Sequence, residues 1–337
     1  MQLSYETIKS ITTGAVSVEQ TDAGIRFYRF TAEQREIYAG RREALQLKSQ
    51  ATAGVKFCFE TDSRSLFIRG LFEHASARTY FSVDVFVDGE LVDCLDNYSD
   101  VEIPPVYTTI QFPMGAYEKK FSLGEGRKTV TVHLPWNKIV TLQELSLDDG
   151  SFVTPVKQEK KLMAFGDSIT QGFDALRPSR RYIARLAEAL GAEEFNKAVG
   201  AEYYDPELAA TKDAFTPDYI VVAYGTNDWG SSTPEVFGKS VRPVYASLRK
   251  NYPEARIFAI TPIWRAAINE KRAFDSFFDI EKGVREATAG MENVTVISGI
   301  DLVPHESRYF GDGTLHPSAE GFDHYFKNLW KTISAIV

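Results

Sequence analysis

Five short apolar runs, Leu162 to Phe165, Phe195 to Val199, Tyr219 to Tyr224, Ile257 to Ile260 and Val294 to Ile297, are separated by longer stretches of helical period. Runs this short and this continuous suit strands buried on both faces, and the helical text between them supplies the crossovers that parallel strands require. The intervening stretch Arg180 to Leu190 places Tyr182, Ile183, Leu186 and Leu190 on one face, and Val236 to Asn251, Phe274 to Met291 and Gly321 to Ile336 behave likewise. A parallel sheet with helices on both faces is expected from residue 157 onward.

The text before that point follows a different period. Phe81, Val83, Val85 and Val87 alternate with Ser82, Asp84 and Phe86, and Asp88-Gly89 supplies a hairpin turn. Val130, Val132 and Leu134 alternate with Thr129, Thr131 and His133 after the Gly124-Glu125-Gly126 turn. Shorter runs over Val55 to Glu60, Leu66 to Phe72 and Ile139 to Leu147 recur at sandwich-like spacing. Residues 1–156 are therefore expected to form an all-β sandwich of jelly-roll type. The charged, Pro-containing segment Pro155 to Lys161 is the expected joint, with an α/β domain over 157–337. Two domains also suit 337 residues, at roughly 150 residues per domain.

Bulk composition excludes several function classes. A chain with 44% hydrophobic and 25% charged residues can bury a core, and the net charge of −8 is scattered and opposes a nucleic-acid partner. No apolar run reaches membrane-spanning length. The start, Met1 to Thr7, carries no basic segment leading into an apolar core, so a cytoplasmic protein is expected. Cys58 and Cys94, the two cysteines, read as free buried thiols, and the histidines and cysteines show no close ligand spacing. No metal and no cofactor are expected.

Chemistry concentrates in three places. Phe165-Gly166-Asp167-Ser168 puts a serine on a Gly-flanked turn after the first parallel strand, at the sheet edge where open α/β folds place ligands. Tyr224-Gly225-Thr226-Asn227-Asp228 follows a second strand, and Asp312-Gly313-Thr314-Leu315-His316-Pro317 precedes the last helix. A serine hydroxyl needs a base within hydrogen-bond reach and a group that orients the base. Of five histidines, His316 is favoured because it lies in a Gly-rich loop ahead of a helix, with His305 in reserve.

These blocks resemble those of the SGNH (GDSL) hydrolases, over roughly residues 160 to 337. The resemblance implies a three-layer α/β/α, flavodoxin-like domain. It also implies Ser168 as nucleophile on an ester carbonyl, His316 as proton acceptor and Asp312 as its orienting carboxylate. An oxyanion hole from the N–H groups of Ser168 and Gly200 and the side chain of Asn227 is implied as well. Two details leave alternatives open. Three residues rather than two separate Asp312 from His316, which leaves a bulged loop or a Ser-His dyad; the glycine donor aligns with either Gly200 or Ala201.

A jelly-roll domain ahead of an SGNH domain is similar to the arrangement in several carbohydrate esterases. The expected activity is removal of small acyl groups, acetyl foremost, from oligosaccharides such as xylan or mannan fragments. Trp229, Tyr203 and Trp264 lie beside the blocks as candidate substrate-stacking residues. The alternatives are an acyltransferase or an esterase for lipid or natural-product esters, and a catalytically idle carbohydrate-binding protein. A small-molecule or oligosaccharide ester is the expected partner.

Overall fold

The computed structural model describes all 337 residues. The N-terminal region is built on two antiparallel sheets. One joins β1 (Thr12–Thr13), β4 (Lys56–Thr61), β9 (Lys128–His133), β6 (Ser82–Val87) and β7 (Glu90–Asp96) in that order, with β11 (Thr154–Pro155) also paired to β4. The other joins β2 (Ser17–Thr21), β3 (Gly24–Tyr28), β10 (Lys138–Leu147), β5 (Ser65–His74) and β8 (Gly115–Ser122).

Strand alternation decides how they meet. Phe57, Phe59, Val83, Val85, Val130 and Val132 from the first sheet share one core with Leu66, Ile68, Phe72, Val140 and Leu142 from the second. The Asp88-Gly89 turn closes the β6–β7 hairpin with Val87 opposite Glu90, and both turn residues have positive φ (49° and 86°), the conformation of a type I′ turn.

The expected β-rich region also carries three short helices, α1 (Tyr5–Ile11), α2 (Ala32–Ala39) and α3 (Glu43–Ser49). Helix α2 carries a legible start signal, since Thr31 and Gln34 form a reciprocal capping box. Phe30, Tyr38 and Leu45 pack into a core of the α/β region rather than into the sandwich.

From residue 160 the chain forms the parallel sheet. The order is β13 (Ala192–Asn196), β12 (Lys160–Gly166), β14 (Tyr219–Ala223), β15 (Arg256–Ile260) and β16 (Val294–Ile297). Met163, Phe165, Ile220 and Val222 face one core, under α8 (Pro234–Asn251) and α9 (Asp279–Thr288). Leu162, Ala164, Val221 and Phe258 face the other, under α5 (Tyr182–Ala189) and α10 (Ala319–Ile333). The result is three layers, and the order reverses at β12, so a crevice opens at that strand's carboxyl end. Three shorter helices, α4 (Ser168–Gln171), α6 (Pro206–Ala210) and α7 (Thr226–Ser231), lie in the connections. Both cysteines are free, and no helix is long and apolar enough to cross a membrane.

Candidate active site

Strand β12 ends at Gly166 because the chain must turn tightly there. A Cβ on Gly166 would lie 2.5 Å from Thr170 Oγ1 and 3.0 Å from the carbonyl of Ala223. Asp167 then caps α4, its Oδ1 accepting the Ile169 N–H at 2.9 Å. Ser168 is the first residue of this helix, so its own N–H has no intrahelical partner. The serine side chain meets a residue 148 positions away: Ser168 Oγ and His316 Nε2 are 2.8 Å apart.

The loop carrying His316 is closed by its own aspartate. Asp312 Oδ1 accepts the N–H groups of Thr314 (2.9 Å), Leu315 (2.7 Å) and His316 (3.1 Å), while Oδ2 lies 2.7 Å from His316 Nδ1. The three-residue spacer is thereby accommodated as a bulge, with Gly313 at φ 74°. Burial by itself would raise the Asp312 carboxyl. The hydrogen bond and charge of His316, with the backbone N–H groups, outweigh it and hold the carboxyl well below the usual carboxylate range. A carboxylate on Nδ1 fixes that nitrogen as the protonated one and leaves Nε2 to accept from serine.

A second carboxylate stands behind the imidazole. Asp174, wholly buried, has Oδ2 3.9 Å from His316 Nδ1 and is gripped by three residues of the β-rich region. Arg78 reaches both its oxygens (2.6 and 3.1 Å), Tyr80 donates to Oδ1 at 2.8 Å, and Tyr107 donates to its backbone carbonyl at 2.5 Å. Phe173 stacks on the His316 ring with centroids 5.3 Å apart. Asp174, Asp312 and His316 bring ligand atoms within 4.8 Å of one another. Arg78 already neutralises Asp174 and the loop N–H groups saturate Asp312, so the trio fits an ion-pair network better than a metal cage.

The candidate oxyanion donors are distributed differently from the sequence expectation. The Gly200 N–H donates to Gln171 Oε1 at 2.7 Å, and Gln171 is tied in turn to the Trp136 carbonyl at 3.2 Å. Ala201 follows at φ 70°, and its N–H has no hydrogen-bond partner. Of the two alternatives, the free donor belongs to Ala201. Asn227 is the second residue of α7, just after β14, with Nδ2 donating to the Glu202 carbonyl at 2.8 Å and a second N–H left over.

The aromatic candidates separate by burial. Trp229 is 1% exposed and packs edge-on against Phe277, so the expectation that it stacks on substrate is corrected: its ring is core. The guanidinium groups of Arg265 and Arg272 lie over the ring, 5.0 and 5.2 Å from its centroid. Tyr203 is half-buried, and Trp264 is half-buried with its ring stacked on His305 and tilted against Phe310. His305 bonds the Ile300 carbonyl at 2.8 Å, apart from the serine.

Sequence reasoning did not single out Asp174, Arg78 or Gln171. A six-residue offset from Ser168 carried no marker for Asp174, because its value comes from Arg78, 96 positions away. Two buried acids complete the setting. Burial pushes the Asp167 carboxyl up to about 6 and the Asp228 carboxyl up to about 7, the Asp167 charge adding to the latter.

The sequence model of the GDSL-like Lipase/Acylhydrolase family matches residues 164–324. No curated protein matches the sequence. Among solved structures, the salicylyl-acyltransferase SsfX3 from a tetracycline biosynthetic pathway superposes with a TM-score of 0.82 at 20% identity, covering 100% of this chain and 97% of that one. A family two carbohydrate esterase from Clostridium thermocellum, solved with cellohexaose, gives 0.65 at 16% identity, covering 85% of this chain and 93% of its own. An acetyl xylan esterase from the rumen bacterium Butyrivibrio proteoclasticus gives 0.56 at 17%, covering 84% and 90%. At these identities the likeness is one of fold, and it spans the β-rich region as well as the α/β layer.

Proposed function

We propose that this chain, whose residues 164–324 belong to the GDSL-like lipase/acylhydrolase family, is a serine esterase that removes small acyl groups, acetyl foremost, from carbohydrate. The observation that carries the reading is the pair of contacts on one imidazole, 2.8 Å from Nε2 to Ser168 Oγ and 2.7 Å from Nδ1 to Asp312. Ser168 gives its proton to Nε2 as Oγ attacks the ester carbonyl carbon, and Asp312 stabilises the imidazolium that forms. The carbonyl oxygen becomes an oxyanion, met by the N–H groups of Ser168 and Ala201 and by the Asn227 amide. The imidazolium then protonates the departing sugar alkoxide, leaving an acyl-serine. Water, deprotonated by the same nitrogen, releases the acid and restores Ser168.

The carbohydrate part of the reading is supported by fold likeness to two carbohydrate esterases, one described as acting on acetyl xylan. Purified protein incubated with acetylated xylo- and manno-oligosaccharides and with 4-nitrophenyl acetate tests it. Acetate release that vanishes in Ser168→Ala is the expected result, and no such release from any of them ends the reading.

One observation favours a second acceptor. The full-length superposition on an acyltransferase supports transfer of the acyl group to an alcohol rather than to water. The same serine chemistry serves both. Adding alcohol acceptors during turnover distinguishes them: water prevails if acid release is undiminished, and transfer prevails if ester product replaces acid.

A further inference from the structure

The peptide unit joining Gly200 to Ala201 is held from one end only. Its carbonyl oxygen accepts from Lys48 Nζ at 3.0 Å, while its N–H, on Ala201, has no partner. The preceding N–H, on Gly200, is occupied by Gln171, so the two ends of this loop are not interchangeable. Lys48 reaches across from α3, which belongs to the β-rich N-terminal region, and lays its stem along Gly200: a Cβ there would meet Lys48 Cδ at 3.3 Å. The Gly200 carbonyl is the hydrogen-bond acceptor of the Lys48 ammonium, while the nearby Glu202 carboxylate is paired with Arg41.

A trans peptide is planar, with C=O and N–H pointing in opposite directions. A cation bound at the oxygen therefore does two things at the nitrogen. It fixes the direction of the N–H, and by drawing electron density toward oxygen it strengthens that N–H as a donor, as hydrogen bonds in a chain polarise one another. The fixing matters because Ala201 sits at φ 70°, a left-handed conformation that is sterically unfavourable for a residue with a Cβ. Glu202 N–H bonded to the Val199 carbonyl (3.1 Å) and Asn227 bonded to the Glu202 carbonyl hold the turn on its other side.

We propose that Lys48 is a positioning residue of the active site, acting through the Gly200–Ala201 peptide to present and polarise the Ala201 N–H toward the oxyanion. The inference rests on the reading that Ser168 attacks an ester. It makes a residue of the N-terminal region part of the transition-state machinery without contact with the substrate.

The test compares wild type, Lys48→Met and Lys48→Arg on 4-nitrophenyl acetate, with Ser168→Ala as the control for the underlying reading. Methionine keeps the apolar stem and removes the charge. The expected result is a fall in kcat of about 10-fold or more with KM within twofold, an unchanged melting temperature, and at least partial recovery in Lys48→Arg. Ser168-dependent turnover with kcat of Lys48→Met within twofold of wild type overturns the role of Lys48 and leaves the esterase reading standing. A loss in Lys48→Met that comes with a lowered melting temperature and is not recovered by arginine assigns Lys48 to structure alone, which also overturns it. Turnover that survives in Ser168→Ala removes the esterase reading itself.

Discussion

The Arg78 guanidinium forks onto both carboxylate oxygens of Asp174, and Asp174 stands 3.9 Å from the ring nitrogen of His316 that faces Asp312. Arg78 comes from the loop between two sandwich strands, whereas Asp174 follows the nucleophile by six residues. The β-rich region thus reaches the surroundings of the His316 imidazole by one ion pair. Arg78→Met leaves a fully buried carboxylate without its cation. It is expected to destabilise the protein by about 3 kcal/mol or more, and Arg78→Met/Asp174→Asn by less than Arg78→Met alone. Chemical denaturation of the three variants reads this out; a double variant less stable than Arg78→Met contradicts it.

Ser168→Ala and His316→Ala are each expected to lower kcat by about 10⁴-fold or more, because the two groups act as one unit. Asp312→Asn is the sharper measurement. With Asp312 bonded both to the ring and to three backbone N–H groups, kcat should fall by about 10³–10⁴-fold. A loss under 10-fold would show that the imidazole is oriented without it.

Asn227→Ala removes the side-chain donor proposed for the oxyanion while leaving Ser168 and His316 in place. The expected effect is a kcat lower by about 10²–10³-fold with KM little changed. Steady-state kinetics decide this, and a rise in KM at constant kcat would move Asn227 from transition-state to ground-state binding.

Asp228 offers a test through pH. Its carboxyl is pushed up to about 7 by burial, with the Asp167 charge adding to the rise, and its Oδ2 has no hydrogen-bond partner. A carboxyl raised in the folded state favours the fold while protonated. Its contribution is fully present below the ordinary value near 4 and is lost as pH rises through about 7. Melting temperature should therefore decline between pH 5 and pH 8, and Asp228→Asn should flatten that decline. An equal decline in wild type and variant would assign it to other groups.

At low pH the sign reverses for Asp312. Its carboxyl is held below the usual range, so the stability it contributes is present above about pH 4 and is lost as pH falls further. Asp312→Asn should remove part of the acid sensitivity seen in wild-type melts below pH 4; unchanged acid sensitivity would contradict the role of this loop bond.

Much of the architecture was written locally. The alternation that puts Met163 and Phe165 on one face and Leu162 and Ala164 on the other needs only the strand's two-residue period, so the layered sheet is legible in the sequence. Helix α2 carries its start signal in the same local way, through Thr31 and Gln34, within a region whose dominant pattern is that of strands. Gly166, Ser168, Asp312 and His316 stood out for a similar reason: tight turns and capping residues are properties of neighbouring positions.

What tertiary structure alone decided is which of those groups are free to act. Whether Gly200 or Ala201 offers its N–H depends on Gln171 occupying the first. Whether Trp229 faces substrate depends on Phe277 and Arg265 covering it, and the surroundings of His316 depend on Arg78 reaching Asp174 across 96 positions. Sequence determined the residue types and their local turns, since these follow from steric and periodic rules within a few residues. Hydrogen-bond capacity and burial are consumed by whichever groups the fold brings together, so only the packed chain determines what each residue has left to offer.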